Sequence, residues 1–359
     1  MLGCSMPTVA RLRRTCRGLS AAARQVATEE LAARGFTVVR LSSRCERATE
    51  AAARSLMGGG SYNGGGSYNG GGGVTRGTIG SSSFLDAGVG SPAAQPVEFH
   101  NEMAYSASFP ECVSFALFER SAEGGVTLLC DNEAVSRQIS TGLRARLSTG
   151  VRYIRVLHDE AERSDPTFYS SWQGAFECDR LEDAFATASA SECGVLEWQD
   201  GSTGRGRGRP RLRHTLWAPT SVTHPRLGAL YFGSILNRHA AACHVGDAHP
   251  VFGQLAPEER PYQCVWADGA PLSAAELTEL RELHASATIE VPLKSGELVV
   301  IDNLRLAHGR TPYRGRRTMG LLLGRMVQRD PRCQPPAVFA EWREQRLRGA
   351  GSSGANSAD

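Results

Sequence analysis

Short apolar runs dominate the pattern along the chain. VSFALFE (113–119), VTLLC (126–130), VRYIRVL (151–157), ALYFGSI (229–235), ATIEVPL (287–293), ELVVID (297–302) and TMGLLLGRMV (318–327) carry β-branched, aromatic and aliphatic residues at strand length. A 3.6-residue period predicts helices at about 20–34, 132–146, 179–190 and 272–286. The last has a start signal: Ser273 stands three residues before Glu276, the spacing of a capping box. EELAARGFTVVRL reads as helix, glycine stop and strand. Many strands with long gaps and a few helices predict an α+β, mainly β fold, a sandwich or barrel core padded by helices.

Three segments break this pattern. Residues 58–73 repeat Gly-Gly-Gly-Ser-Tyr-Asn, too rich in glycine to recover the entropy of ordering, and read as a loop insertion. GSTGRGRGRPRLR (201–213) reads as a solvated Arg-Gly loop, with RNA contact as the competing reading. GAGSSGANSAD (349–359) closes the chain as a disordered tail. Residues 1–27 hold five arginines and no acid. They form a basic leader, either an organellar transit segment or the start of a basic amphipathic helix. The expected compartment is the cytoplasm by default, with organellar targeting as the alternative.

Composition narrows the function classes. The chain has 359 residues, 41% of them hydrophobic, and a net charge of +3 from 40 basic and 37 acidic groups. That balance gives no case for a nucleic-acid or membrane protein, and no apolar run approaches the ~18–20 residues that span a bilayer. The ten cysteines include no C-x-x-C pair and suit reduced, mostly buried thiols. No G-x-G-x-x-G follows a strand and no P-loop is present.

Candidate chemistry sits at two distant places. In EFHNEMAY (98–105), His100 and Glu102 are two apart on what reads as one strand, hence on one side of it. In ELVVIDNLRLAHGRTPYRGRRTMGLLLGR (297–325), a buried strand leads through a polar turn to His308, then to Arg310, Arg314, Arg316 and Arg317. Two histidines and one carboxylate on one face of a metal are the ligand set of non-haem Fe(II) oxygenases, which keep positions open for a co-substrate and dioxygen. An arginine on the strand after the distal histidine has the shape to pair with a co-substrate carboxylate.

These stretches resemble the taurine dioxygenase (TauD/TfdA) family of Fe(II)/2-oxoglutarate oxygenases, nearest its clavaminate-synthase-like and syringomycin-type biosynthetic branches. FHNEMAYSASFP is similar to the family's H-x-[DE] strand, EGGVTLLCDNEAV to its G-G-x-T segment, GVRYIRVL with SWQGAF to its middle segment, and IDNLRLAHGRTPYRGRRTM to its closing motif. The resemblance implies a double-stranded β-helix (jelly-roll) core over residues 28–330, followed by a C-terminal helix and tail over 331–359. It implies Fe(II) as cofactor, 2-oxoglutarate as co-substrate and O2. It makes His100, Glu102 and His308 the metal ligands and the catalytic centre, and Arg317 with Thr127 the holders of the distal carboxylate of 2-oxoglutarate. Arg316 competes with Arg317, since strand alternation turns only one of two neighbours inward; Met319, two residues on, favours Arg317.

Taurine dioxygenases carry a second arginine four residues further on, where this chain has Leu321; that argues against a sulfonate substrate. Related halogenases replace the carboxylate by Ala or Gly, and this chain keeps Glu102, which favours oxidation of a C–H bond. Glu in place of Asp tilts the substrate toward an amino acid or a molecule derived from one. Arg310 and Tyr105 are the candidate substrate contacts, and Asp302 with Asn303 the supports of the turn before His308. The run NRHAAACHVGDAH (237–249) offers an accessory metal site, a substrate loop or a plain loop. The implied partner is a small molecule, with no nucleic acid or membrane; oligomeric state is not readable. The competing class is a jelly-roll binding module without turnover.

Overall fold

In the computed structural model, residues 12–14, 19–41, 45–58, 77–88, 92–199 and 211–353 are described. The glycine repeat from residue 59 on and the Arg-Gly segment up to residue 210 lie outside the described residues, as does the end of the C-terminal tail.

Two sheets face each other, antiparallel except where Leu12–Arg14 pairs parallel with Phe36–Leu41. The larger has the order Leu12–Arg14, Phe36–Leu41, Glu297–Asp302, Ser108–Glu119, Thr318–Gln328 and Leu85–Asp86. The smaller has the order Thr288–Val291, Thr127–Asp131, Leu306–Arg310 and Val97–His100. Alternation decides which face is which. Val113, Phe115, Leu117, Val299, Ile301, Leu321 and Leu323 point inward, onto Leu129, Val291 and Leu306 of the smaller sheet. Their neighbours Cys112, Ala116, Leu298, Val300 and Leu322 point outward, onto the alanine-rich face of the helices Ala21–Arg34 and Glu46–Met57. This is the expected jelly-roll core with flanking helices.

Most predicted elements are present. Val151–Leu157 and Glu297–Asp302 have the predicted bounds, and Ser273 forms its capping box with Glu276 at the start of Ala274–Ser286. The helix predicted over 132–146 is two, Asn132–Gln138 and Thr141–Leu147, split at Ile139 and Ser140 because the Ser140 side chain caps the second. The strand predicted at 229–235 stops at Tyr231, and the chain turns into a helical turn, Ile235–Arg238. Leader and domain overlap: Ala21–Arg34 starts at an N-cap, Ser20, and buries Ala23 and Ala27, so residues 21–27 are folded. At the other end the helix Ala337–Ser353 runs into the segment read as a tail.

A third sheet was only partly foreseen. It has the order Tyr262–Trp266, Val151–Leu157, Leu212–Ala218 and Gly194–Trp198, all antiparallel. Tyr153 and Cys264 from its inner face join Tyr105, Ile235 and the helix residues Leu277 and Leu280 in one core. The sheet therefore closes over the end of the smaller jelly-roll sheet that carries His100. Among the described residues no helix is long and apolar enough to cross a membrane.

Candidate metal centre

The strand ending at His100 pairs antiparallel with the one carrying His308, and the two histidines are direct cross-strand partners. Their rings are 4.3 Å apart. Gly309 keeps this pair close: a Cβ there would stand 2.6 Å from the Val97 carbonyl oxygen. Glu102 arrives differently from expectation. The strand stops at His100, and Glu102 lies in the turn that follows. Met103 takes a φ of +58°, a conformation that costs a non-glycine residue about 1–3 kcal/mol. The turn carries the carboxylate back toward both rings. Its Oε2 is 3.5 Å from His308 Nε2 and 3.9 Å from His100 Nε2.

These three residues form the one group of ligand-type side chains that converges among the described residues, with all ligand atoms within 4.8 Å of one another. Donors sharing a metal at bonds of about 2.1 Å stand at most ~4.2 Å apart, so the two measured separations fit a common divalent ion. His100 Nδ1–H donates to the Glu98 carbonyl at 2.9 Å, which fixes the tautomer and leaves Nε2 to bind. Burial, with His308 alongside, pushes the His100 pKa down to about 3, so the ring is neutral at pH 7, as a ligand must be.

Asparagines hold the turn. The Asn303 side chain accepts from the Glu102 N–H at 2.8 Å and donates to the carbonyls of Glu102 and Pro110 at 3.1 and 2.8 Å. Asn101, between the two ligands, donates to the carbonyls of Asn303 and Leu306 and accepts from Asn132 and Gly233. Asp302 accepts from the N–H groups of Leu304 and Arg305 and pairs with buried His224 at 3.0 Å. The roles expected of Asp302 and Asn303 are thus of two kinds: Asp302 makes the turn, and Asn303 holds Glu102 by its backbone. Asn101 was missed, though its place inside H-N-E was the available signal.

The two candidate arginines separate cleanly. Arg316 is exposed and pairs with Glu119 on the surface at 3.0 Å, so the structure rules against it as a buried anchor. Arg317 is half-buried and packs over Gly125, where a Cβ would lie 3.1 Å from its Cδ and Nε. Gly125 also has φ +69°, which explains the second glycine of G-G-x-T. Burial and the neighbouring cation Arg310 push the Arg317 pKa down to about 10; an anion placed there would be favoured. Thr127 is buried on the strand next to His308, in register with Arg310. Arg310 itself donates to the carbonyls of Pro92 and Gln95, both at 2.9 Å, and lies over the Tyr313 ring. It ties down the loop before His100.

With this geometry in view, the comparisons are specific. The family model for the taurine catabolism dioxygenase TauD, TfdA family matches residues 14–323. The chain belongs to this family. It is accordingly a 2-oxoglutarate-dependent dioxygenase that uses Fe(II) and O2. A curated relative, the dapdiamide synthesis protein DdaC of Enterobacter agglomerans, is 23% identical over 236 residues, 65% of this chain; the match spans just under two thirds, 66%, of that protein's length. Similar solved structures include AAD-2 in complex with Mn(II) and N-oxalylglycine (11% identity, 91% of this chain and 96% of that one, TM-score 0.45). Another is asparagine oxygenase with Fe(II), 3-hydroxyasparagine and succinate (14% identity, 85% and 79%, TM-score 0.45).

The remaining candidates sort by position. Tyr105 sits beside the centre, its phenol pushed up in pKa first by burial and also by Glu102, and it accepts a hydrogen bond from Arg238 at 3.1 Å. The histidines of 237–249 do not converge on a metal among the described residues. His239 and His249 accept from nearby backbone N–H groups, and His244 bonds the Tyr169 hydroxyl, so the run is a loop pinned by its own histidines.

Proposed function

We propose that this dioxygenase hydroxylates a C–H bond of a small molecule, an amino acid or a molecule derived from one. His100, Glu102 and His308 hold the iron, and Arg317 with Thr127 holds the distal carboxylate of 2-oxoglutarate. The observation that carries this reading is the convergence of those three side chains on one point from two distant segments. When bound, the iron with 2-oxoglutarate and O2 supplies an oxidant strong enough to break an unactivated C–H bond, with succinate and CO2 as by-products.

The chain's own residues set the conditions. Asn303 and the Glu98 carbonyl fix the directions of Glu102 and His100, so little reorganisation is left for the reaction. Phe115, whose ring is 4.9 Å from that of His308, screens the centre from water on the jelly-roll side. Glu102 fills the position whose loss would admit a halide, which supports hydroxylation over halogenation. Leu321 lies in the core between the sheets, which supports a substrate other than a sulfonate. The relative's part in dapdiamide synthesis supports a biosynthetic setting.

The test is succinate release from 2-oxoglutarate by the Fe(II)-loaded protein without added substrate, against His308→Ala. Slow release from the parent and none from the variant is expected. No release from either would favour a binding module without turnover.

A further inference from the structure

Arg155 lies on the middle of the third sheet, with His214 and Tyr262 as its cross-strand partners. It is 6% exposed. Its Nε and Nη2 both donate to His214 Nδ1, at 3.1 and 3.0 Å. Burial, and Arg155 itself, hold His214 well below the usual histidine range, so this acceptor is neutral. The third nitrogen, Nη1, is buried and has no hydrogen-bond partner. Burial pushes the Arg155 pKa down to about 10, and the groups that act on it are Tyr262, Tyr105 and Arg238, with no acid among them. The other buried arginines are answered by oxygen acceptors of the chain: Arg260 by the Asp247 carboxylate, Arg152 by the Ala267 carbonyl and Arg310 by the carbonyls of Pro92 and Gln95. A buried cation without one is costly, unless a ligand supplies the anion.

Arg155 also lines a pocket that shares Tyr105 and Arg238 with the surroundings of the metal centre. With Tyr153, Leu216 and Tyr262 they enclose a small space of about 20 Å³, half open to solvent, and no acid lines it among the described residues. Arg238 lies over the rings of Tyr262 and Tyr105, at 4.1 and 4.6 Å, and is near enough to His100 to disfavour its protonation. A larger open cavity shares Tyr105 and Leu216 with the pocket.

We propose that Arg155, with Arg238, seats a carboxylate of the substrate, and that the substrate carries no free ammonium beside that carboxylate. A guanidinium is shaped for a carboxylate. An α-ammonium in the same place would meet two cations and no acid. The phenol rings and Leu216 would wall the apolar stem. The class is therefore an organic acid, or an amino acid whose α-amine is acylated. This identifies the substrate of the hydroxylase proposed above and rests on that reading.

The experiment uses the full chain, loaded anaerobically with Fe(II) and 2-oxoglutarate so that the co-substrate site is filled. N-acetylglycine, N-acetyl-L-alanine and 3-phenylpropionate are titrated by calorimetry beside their primary amides and beside glycine, L-alanine and L-phenylalanine. Each acid should bind at least tenfold more tightly than its amide and than the free amino acid. Arg155→Gln, which keeps a donor for His214, should bring acid and amide within twofold, and Arg155→Lys should restore part of the preference. Acid and amide binding alike in the parent protein, no binding by any acid, or a preference that survives Arg155→Gln would each overturn the proposal. The visible band of the iron chelate in the same sample separates the two readings. Its presence without acid preference sinks only this inference; its absence sinks the hydroxylase reading.

Discussion

The jelly-roll core and the inserted sheet meet at one centre, yet they treat their polar side chains differently. In the core, the groups that support Glu102 and His100 are bonded within the chain, although the buried Nδ1 of His308 has no partner. Asn303 brackets the Glu102 backbone, Asn101 is bonded on all sides, and the His100 tautomer is set by a carbonyl. On the inserted sheet, Arg155 rests on a neutral histidine and keeps a buried nitrogen open. The difference matches two tasks. A metal of fixed coordination needs ligands held rigidly. A molecule that enters and leaves needs donors that wait for it.

The sharpest way to break this contrast is at the co-substrate end, where the core too must leave a cation waiting. Arg317→Ala should raise the 2-oxoglutarate concentration needed for half-maximal succinate release about 100-fold, ~3 kcal/mol, while iron still binds. Arg316→Ala, which loses only a surface ion pair, should change it less than about twofold. A large effect of Arg316 and none of Arg317 would reverse the assignment.

Next in size is the support of Glu102. Asn303→Ala removes an acceptor for its N–H and a donor for its carbonyl. Iron affinity, read by competition with a chelator, should fall about 10–100-fold, the range for such supporting partners. An unchanged affinity would mean that the turn holds its shape without the asparagine.

A separate effect is on stability. Burial lowers the pKa of His100 to about 3 and of His284 to about 4, and that of His214 well below the usual value. Below pH ~6.5 the unfolded chain takes up protons that these folded rings refuse, so their stabilisation is complete above that pH and is lost on acidification. Urea unfolding of the metal-free protein should show a loss of roughly 1 kcal/mol per histidine for each pH unit between 6.5 and 4. Flat stability over that window would mean the rings protonate in place.

The two regions also differed in legibility. H-x-E and H-G-R sit in short segments whose spacing carries their chemistry, so the ligands were readable 200 residues apart. Alternation alone does not separate Arg316 from Arg317, because their order inward or outward depends on where the strand Thr318–Gln328 starts and on the irregular register between Thr318 and Met319; only the family resemblance, through Met319, favoured Arg317. The pocket was scarcely visible. Arg155 is one of two charges in VRYIRVL, and its partners lie on LRHTLWA and YQCVW, strands that alternation did not single out. The turn that returns Glu102 was hidden too: nothing in the sequence marks Met103 for a positive φ.

The most direct test of the central claim is an anaerobic titration of Fe(II) and 2-oxoglutarate into the purified metal-free protein, followed by visible absorption, with His308→Ala beside it. A weak charge-transfer band that saturates in the parent protein and is absent from the folded variant is the predicted result. A parent protein that is folded and gives no band would contradict the claim that His100, Glu102 and His308 form an iron centre.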